Sequence, residues 1–276
     1  MPDRRSPYRE GPDSRRPEPP RSTLTDVALA LPEHLPLWPL LVVMLVLTVA
    51  AAALTVGLAR SGAAVLQGAR GPLQEDSLNW AGYVANGARF TSVTATWSVP
   101  AVSSASAPSG LASFWVGMNG RGNHRLEQIG TASGYIHGER RYLVWWEILP
   151  QAAVYTDTPL QPGDMVTAAV STDGAGKYVL SLRNISNGAE FSITKMDWGR
   201  VSSAEVVAEA PTGSHGLLPL ADFGQLTFRD IAVNSKRLDA YPWSRVVMKP
   251  VGPADVETSA LADGGTAFTV TYRQRP

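Results

Sequence analysis

The feature that most limits the fold of this chain is a series of short strand-forming segments after Asp76. These segments are rich in Val, Thr, Tyr, Phe and Trp, and they are separated by Gly, Pro, Asn, Asp and Ser. No long stretch beyond Asp76 shows helical periodicity. The pattern predicts an all-β domain of antiparallel sheets, packed as a sandwich or rolled into a barrel. The clearest segments are 92–99, 113–118, 142–148, 166–171, 178–183, 205–209, 225–233 and 267–272.

Composition and charge exclude several classes of site. The chain has no cysteine, which removes disulfides, thiolate metal sites and cysteine nucleophiles. The formal net charge is zero, with 8 basic and 6 acidic residues before Gly71 and 16 and 18 after it. Because the strand-rich region contains no run of Lys or Arg, we expect no nucleic-acid partner.

The N-terminal part differs from the rest of the chain. Residues 1–36 are rich in Arg and Pro with few large apolar residues, which predicts a disordered tail. Residues 37–59 carry no charge and are long enough to cross a hydrocarbon core of about 30 Å. We expect an uncleaved transmembrane helix there, with a cleaved signal peptide as the alternative. Residues 60–76 are expected to form a linker, and residues 77–276 the domain.

The arginines that precede the apolar run predict the orientation of this anchor. A positive flank favours the cytoplasm, so we expect the N-terminus inside and the large domain outside the cell. The protein would then be a single-pass protein of the cell membrane, or a secreted one if the leader is cleaved. The sequence does not indicate an oligomeric state.

Several familiar catalytic and metal-binding motifs are absent. The chain has no GxSxG elbow, no HExxH, no P-loop and no EF-hand loop. Its four histidines show no i, i+4 pairing, so a zinc site would need help from carboxylates. No particular Ser, His and Asp are selected as a triad. We therefore expect neither a metal nor a cofactor.

Seven segments stand out between residues 79 and 228, a span of 150 residues. They are 79–83 (NWAGY), 93–100 (VTATWSVP), 114–120 (FWVGMNG), 126–131 (LEQIGT), 145–150 (WWEILP), 204–209 (AEVVAE) and 221–228 (ADFGQLTF). Together, in this order, they resemble the glutamic peptidases, also called eqolisins or the G1 family. Each segment alone is a weak signal, whereas the shared order and spacing of all seven is a strong one.

The resemblance implies a lectin-like β-sandwich of two large curved antiparallel sheets, with a substrate groove on one concave face. It also implies an acid endopeptidase with a catalytic pair of one glutamine and one glutamate. The glutamine falls on Gln128 in LEQIG and the glutamate on Glu205 in AEVVAE. Glu209 lies in the same segment and on the same face of the predicted strand, and it is the alternative to Glu205.

Both residue types suit peptide hydrolysis in acid. A carboxylate with a pKa near its ordinary value of about 4 is still ionised there, so Glu205 can take a proton from water and pass it to the leaving amine. The amide of Gln128 does not titrate and can donate a hydrogen bond to the developing oxyanion. Its carbonyl could also hold the attacking water.

Further residues are candidates for substrate binding. Trp115 and Asn119 share strand parity with Gly117, and Trp145 shares it with Glu147, so these side chains are expected to line the groove. The resemblance places Glu147 beside the catalytic pair, where a second carboxyl would raise the pKa of Glu205. We expect two other tryptophans, Trp97 and Trp198, to lie in the core of the sandwich.

The chain departs from the family pattern in two ways. Fungal members have an aspartate where Asn119 stands, and the secreted members have disulfides.

Two other functions are consistent with the sequence. A non-catalytic carbohydrate- or peptide-binding module is the main alternative, because sandwiches of this kind also serve as binding scaffolds. A glycoside hydrolase would have Glu147 and Glu205 as its carboxylate pair.

Overall fold

The computed structural model describes residues 73–87, 89–104, 109–122, 125–213, 216–250 and 254–275. The predicted tail, the predicted transmembrane segment 37–59 and most of the predicted linker lie outside these residues. In the part of the chain that is described, no helix has the length and apolar character needed to span a membrane.

Strands dominate these ranges, and a single 3-10 turn at Leu238–Ala240 is the one helical element described. The strands are β1 (Leu73–Ser77), β2 (Trp80–Asn86), β3 (Ser92–Ser98), β4 (Leu111–Met118), β5 (Glu127–Ile136), β6 (Glu139–Ile148), β7 (Val154–Thr156), β8 (Met165–Thr172), β9 (Lys177–Asn184), β10 (Glu190–Met196), β11 (Ser203–Glu209), β12 (Thr212–Gly213), β13 (Gly216–Leu217), β14 (Gln225–Val233), β15 (Trp243–Met248), β16 (Ala254–Thr258) and β17 (Phe268–Gln274).

Fifteen of these strands join in one continuous sheet in the order β10-β9-β8-β3-β14-β17-β16-β15-β2-β11-β4-β5-β6-β7, with β1 added beside β15. The bend lies in β14, whose residues Gln225 to Phe228 pair with β17 while Arg229 to Val233 pair with β3. The register shifts between Arg229 and Ala232, and such an irregularity bends a strand and increases its twist. The sheet therefore folds back so that β4 and β5 face β3, β8 and β9.

The space between the two halves of the sheet holds the main hydrophobic core. Alternate residues of β4, β5, β6 and β11 contribute to it, as strand parity requires. Trp97 is fully buried there, and its indole Nε1 donates to Thr131 Oγ1 at 3.0 Å across the core. Burying each large apolar side chain of this kind stabilises the fold by roughly 1.5–3 kcal/mol.

The prediction of an all-β antiparallel domain is confirmed, and each of the eight segments singled out in the sequence contains a strand. Two details differ. Leu73 to Asp76, predicted as linker, belong to β1, which pairs in parallel with β15. Trp198, predicted as core, is 66% exposed, because it follows the edge strand β10 and its ring lies over the turn at Gly176.

Candidate active site

Four positions form one row across neighbouring strands of the sheet. Glu205 on β11 is paired with Gly117 on β4, Gly117 with Gln128 on β5, and Gln128 with Glu147 on β6. Directly opposed residues point to the same face of a sheet, so all four share one face. At about 4.8 Å between strands, the Cα atoms of Glu205 and Gln128 are about 9.6 Å apart. The residue between them is a glycine, which has no side chain to occupy the gap.

This row lies on the face of the sheet that is turned away from the main core. A second, smaller apolar cluster covers the same face beside the row. Trp80 and Trp115 meet edge to face there, with ring centroids 5.1 Å apart. The cluster comprises Leu111, Trp115, Leu126, Ala132, Trp145 and Val207, with Trp80, Leu149, Ala153 and Leu218 packed against it.

Glu205 is 0% exposed, although it lies on the outer face of the sheet. The loop after β4 passes over it: a Cβ built on Gly120 would lie 3.3 Å from Glu205 Cδ, 3.2 Å from Leu126 Cδ1 and 2.7 Å from Trp80 Cη2. A Cβ on Gly117 would lie 2.9 Å from the same Leu126 methyl. The Leu126 side chain therefore lies over the gap between Glu205 and Gln128.

Burial raises the pKa of Glu205 to about 8, which differs from the ordinary value expected from the sequence. The Ser203 hydroxyl, the backbone N–H groups of Gly120 and Arg121, and the charge of Arg121 all act to lower it, with less effect. Arg121 itself forms an ion pair with Glu75 of β1. These polar groups lie near the carboxyl, but none of them reaches either of its oxygens with hydrogen-bond geometry among the residues that the structure describes.

Gln128 is 3% exposed and is bonded to its neighbour in the row. Its Nε2 donates to Glu147 Oε2 at 2.5 Å, whereas its Oε1 has no partner within the described ranges. Burial raises the pKa of Glu147, and the hydrogen bonds from Gln128 and from the backbone N–H of Ala153 lower it by less. Glu147 thus acts on Gln128 directly, whereas the sequence analysis expected it to act on Glu205.

Glu209, the alternative to Glu205, is held by other groups on the same face. Asn79 Nδ2 donates to its Oε1 at 3.0 Å, and Trp115 Nε1 donates to its Oε2 at 2.7 Å. Burial raises the pKa of Glu209 to about 7 despite these bonds, and the charge of Glu147 adds to the shift. Glu209 pairs with Ser113 of β4 and so lies outside the row that contains Gln128.

The two tryptophans proposed to line the groove both lie on this face, but they are almost completely buried. Trp115 is 0% and Trp145 is 4% exposed. Both side chains therefore belong to the smaller apolar cluster and present almost no surface to a substrate in this structure. Tyr155, which pairs with Trp145 from the edge strand β7, is half exposed and presents an aromatic ring on the same face.

Asn119 does not lie on this face. It has φ 70° and follows the last residue of β4, so the alternation of the strand does not extend to it. Its side chain is fully buried, and Nδ2 donates to Glu127 Oε2 at 2.9 Å and to the Tyr178 hydroxyl at 3.2 Å. Backbone N–H of Ser202 donates to its Oδ1 at 3.2 Å. Asn119 therefore fixes the start of the loop that covers Glu205.

Sequence reasoning missed Glu127, which is fully buried on the core side of β5 beside Gln128. Burial, reinforced by the carboxyl of Asp197, raises the pKa of Glu127 to about 8. The signal was present in the sequence, because two consecutive polar residues in a strand face opposite sides and one of them must face the core. Leu126 and Arg121 carried no signal, since their positions depend on the path of the loop.

No group of three or more His, Asp or Glu side chains that could hold a metal ion occurs within the described ranges. His137 lies in the turn between β5 and β6, whereas His34, His124 and His215 lie outside the described residues.

Comparison with known proteins bears on this arrangement. The model of the peptidase A4 family matches residues 78–272. Aspergillopepsin-2 of Aspergillus niger is 29% identical over 227 residues, which cover 72% of this chain and 79% of that protein. The family match thus spans β2 to β17 and includes all four residues of the row.

Two solved structures have folds similar to that of this chain. A crystal structure of scytalido-glutamic peptidase with a transition state analog inhibitor gives a TM-score of 0.58 at 23% identity, over 71% of this chain and 99% of that one. Aspergilloglutamic peptidase from Aspergillus niger gives 0.50 at 24% identity, over 59% and 99% of the two chains.

Proposed function

This chain belongs to the peptidase A4 family, the glutamic peptidases, and on that premise we propose that it is an acid endopeptidase with Glu205 and Gln128 as its catalytic pair. Membership of the family makes it a hydrolase of peptide bonds and favours catalysis over the binding-module alternative. The observation that carries the assignment of the pair is the row in which Gly117 separates the two side chains.

The reaction needs no metal and no covalent intermediate. A water molecule enters above Gly117, and Glu205 removes its proton as the oxygen attacks the carbonyl carbon of the substrate. The amide of Gln128 donates a hydrogen bond to the resulting oxyanion. Glu205 then transfers its proton to the leaving nitrogen, the C–N bond breaks, and the carboxylate is regenerated. General acid–base catalysis of this kind typically accelerates a reaction by about 10²- to 10⁴-fold.

The raised pKa of Glu205 has to be overcome for activity in acid. In the described structure the carboxyl is covered by Gly120, Leu126 and Trp80, and its pKa is about 8. A peptide that reaches it must displace Leu126, and this brings water and peptide dipoles to the carboxyl. Hydration favours the ionised form, so the pKa falls towards its ordinary range in the substrate complex. Substrate binding thus favours the ionised form of Glu205, which acts as the base.

A glycoside hydrolase built on Glu147 and Glu205 is disfavoured by the same row. Their Cα atoms are three strands apart, about 14 Å, with Gln128 and Gly117 between them. In this chain Glu147 is bonded to Gln128 and does not face Glu205 across an open space.

We also propose that residues 37–59 tether this peptidase domain to the cell membrane, with the domain outside. The support is the length and the uncharged character of that segment, together with the arginines that precede it. The substrates would then be polypeptides on the outer side of the membrane.

The test of the catalytic pair is cleavage of a denatured protein between about pH 2 and 7 by the full chain and by single variants. Glu205→Gln should lower kcat by about 10²- to 10⁴-fold. Gln128→Ala should cost about 2.7–4 kcal/mol of transition-state stabilisation. Glu139→Gln removes an exposed carboxyl from β6 and should have no effect. Absence of cleavage by the wild type at every pH would refute the peptidase, and full activity of Glu205→Gln would refute the pair.

A further inference from the structure

The hydrogen bond between Gln128 and Glu147 is unusual for a group that has to stabilise an oxyanion. The donor end of the Gln128 amide, Nε2, is bonded to Glu147 Oε2, while the acceptor end, Oε1, has no partner among the described residues. An oxyanion requires a donor, and Glu147 already uses one of the two N–H bonds of this amide. The amide is therefore oriented in this structure with its donor end towards β6, away from the strand that carries Gly117.

The chemistry of the two groups explains this orientation. An ionised carboxylate has only acceptor positions, so it binds the NH₂ end of an amide. A protonated carboxyl has one O–H donor, which can bind the carbonyl end of the same amide. The two ends of a glutamine amide exchange places by rotation about its last side-chain bond, a rotation with a broad and shallow preference.

We propose that Glu147 positions the catalytic amide, and that a proton on Glu147 turns the NH₂ of Gln128 towards the substrate. This inference rests on the proposed role of Gln128 as the oxyanion donor. With Glu147 ionised, one N–H of Nε2 stays bonded to β6, and the acceptor Oε1 is the end of the amide that has no protein partner among the described residues. With Glu147 protonated, its O–H donates to Oε1, and both N–H bonds of Nε2 become available to the substrate carbonyl oxygen.

The groups around Glu147 favour this protonation. Burial raises its pKa, and no basic side chain is among the groups that shift it. From β7 the phenol of Tyr155 faces it, and from β11 the carboxyl of Glu209 interacts with it. Both neighbours are neutral or acidic, so neither stabilises the carboxylate. The backbone N–H of Ala153 is a donor that favours the ionised form, but with less effect than burial.

Acid would then act on the two carboxyls of the row in opposite ways. Glu205 has to be ionised to accept the proton of water, so its contribution to activity rises with pH. Glu147 has to be protonated to release the amide, so its contribution falls with rising pH, about tenfold per pH unit above its pKa. An acid optimum follows from the second requirement.

The test compares pH profiles of kcat/KM for the wild type, Glu147→Gln and Glu139→Gln. The glutamine in Glu147→Gln can donate to Gln128 Oε1 at every pH, so the ratio of its kcat/KM at higher pH to its kcat/KM in acid should be larger than in the wild type. Glu139→Gln removes a carboxylate from the same strand at an exposed position and should keep the wild-type profile. An unchanged fall of activity at high pH in Glu147→Gln would overturn the proposal.

A second measurement is independent of catalysis and so separates this proposal from the proposed function. The side-chain ¹⁵N–¹H₂ signal of Gln128, identified by its loss in Gln128→Met, should titrate in the wild type and in Glu139→Gln. In Glu147→Gln it should stay constant across the same pH range. A Gln128 signal that titrates equally in Glu147→Gln would overturn the role of Glu147, even if the protein cleaves peptides.

Discussion

Glu205 and Gln128 lie on either side of Gly117 in one row of the sheet, so the space between these two side chains borders a residue without a side chain. In this structure the gap is covered by a methyl group of Leu126. The arrangement provides room for a peptide bond only when Leu126 moves aside. Both side chains are buried in this structure, and under the proposed function they become accessible when a substrate displaces Leu126.

The first prediction concerns the glycine in the middle of the row. A Cβ at Gly117 would lie 2.9 Å from Leu126 Cδ1, 2.9 Å from Trp115 Cζ3 and 3.1 Å from the carbonyl oxygen of Glu127. The two side chains can shift slightly, so Gly117→Ala should fold. Its methyl group would displace the substrate from the pair, and we expect kcat/KM to fall by at least about 10²-fold. Circular dichroism and peptide hydrolysis measure the two effects.

Gly130→Ala is the matched control for that change. A Cβ at Gly130 would lie 2.1 Å from the carbonyl oxygen of Phe114 and 2.7 Å from the Cα of Trp115, and backbone atoms cannot move aside as side chains can. This variant should be severely destabilised, with loss of native circular dichroism. A folded, fully active Gly117→Ala would show that the peptide does not pass between Glu205 and Gln128.

The second prediction concerns the pH dependence that Glu205 causes. Its pKa is about 8 in the free protein and should be lower in the substrate complex, where Leu126 is displaced. The profile of kcat/KM reports the free enzyme and that of kcat the complex. The rise of activity with pH should therefore occur at higher pH in kcat/KM than in kcat. In Leu126→Ala, water reaches the Glu205 carboxyl without substrate, so the pH values at which kcat/KM and kcat rise should lie closer together. If kcat/KM and kcat of the wild type rise at the same pH, this account is contradicted.

The third prediction concerns the buried carboxyl of Glu127. Its folded-state pKa of about 8 lies above its ordinary value of 4.5, so the native state binds more protons than the unfolded state between these values. The stability that Glu127 contributes is complete below pH 4.5 and is lost as the pH rises to about 8. Glu127→Gln cannot ionise, and its amide can keep the bond to Asn119. Its free energy of unfolding should therefore decline less between these pH values.

Urea unfolding at pH 4, 6 and 8 measures this difference. At pH 4 the wild type and Glu127→Gln should have similar stability, whereas at pH 8 the variant should be the more stable of the two. A parallel decline of both proteins with pH would mean that Glu127 is not protonated in the native state.

The fourth prediction concerns residues 37–59. If this segment is a transmembrane anchor, the full chain should stay in the membrane fraction after washing with alkaline carbonate. Two arginines in place of Val43 and Leu47 should release it, because charged residues at a helix centre cost about 2.5–3.5 kcal/mol each in insertion. A wild-type chain that appears in the medium without residues 1–59 would support the signal-peptide alternative.

The sequence by itself determined the class of the fold and predicted Gln128 and Glu205 as the catalytic pair. Alternating Val, Thr and aromatic residues specify strands locally, because that pattern suits a pleated sheet with one buried face. The segments LEQIG and AEVVAE carried Gln128 and Glu205 through their resemblance to a family. Local pattern also predicted that Trp145 and Glu147 share one face of their strand and that Trp115 and Gly117 share one face of theirs.

Only the tertiary structure decided which partners these residues have. Asn119 leaves the face of Trp115 because its positive φ ends the alternation of β4, and strand parity has no information on such a turn. Glu147 bonds to Gln128, and Glu205 is buried beneath Gly120 and Leu126, because strands and loops distant in sequence meet there. Burial and hydrogen bonding depend on atoms brought together by the whole fold, so the raised pKa values could not be predicted from residue types.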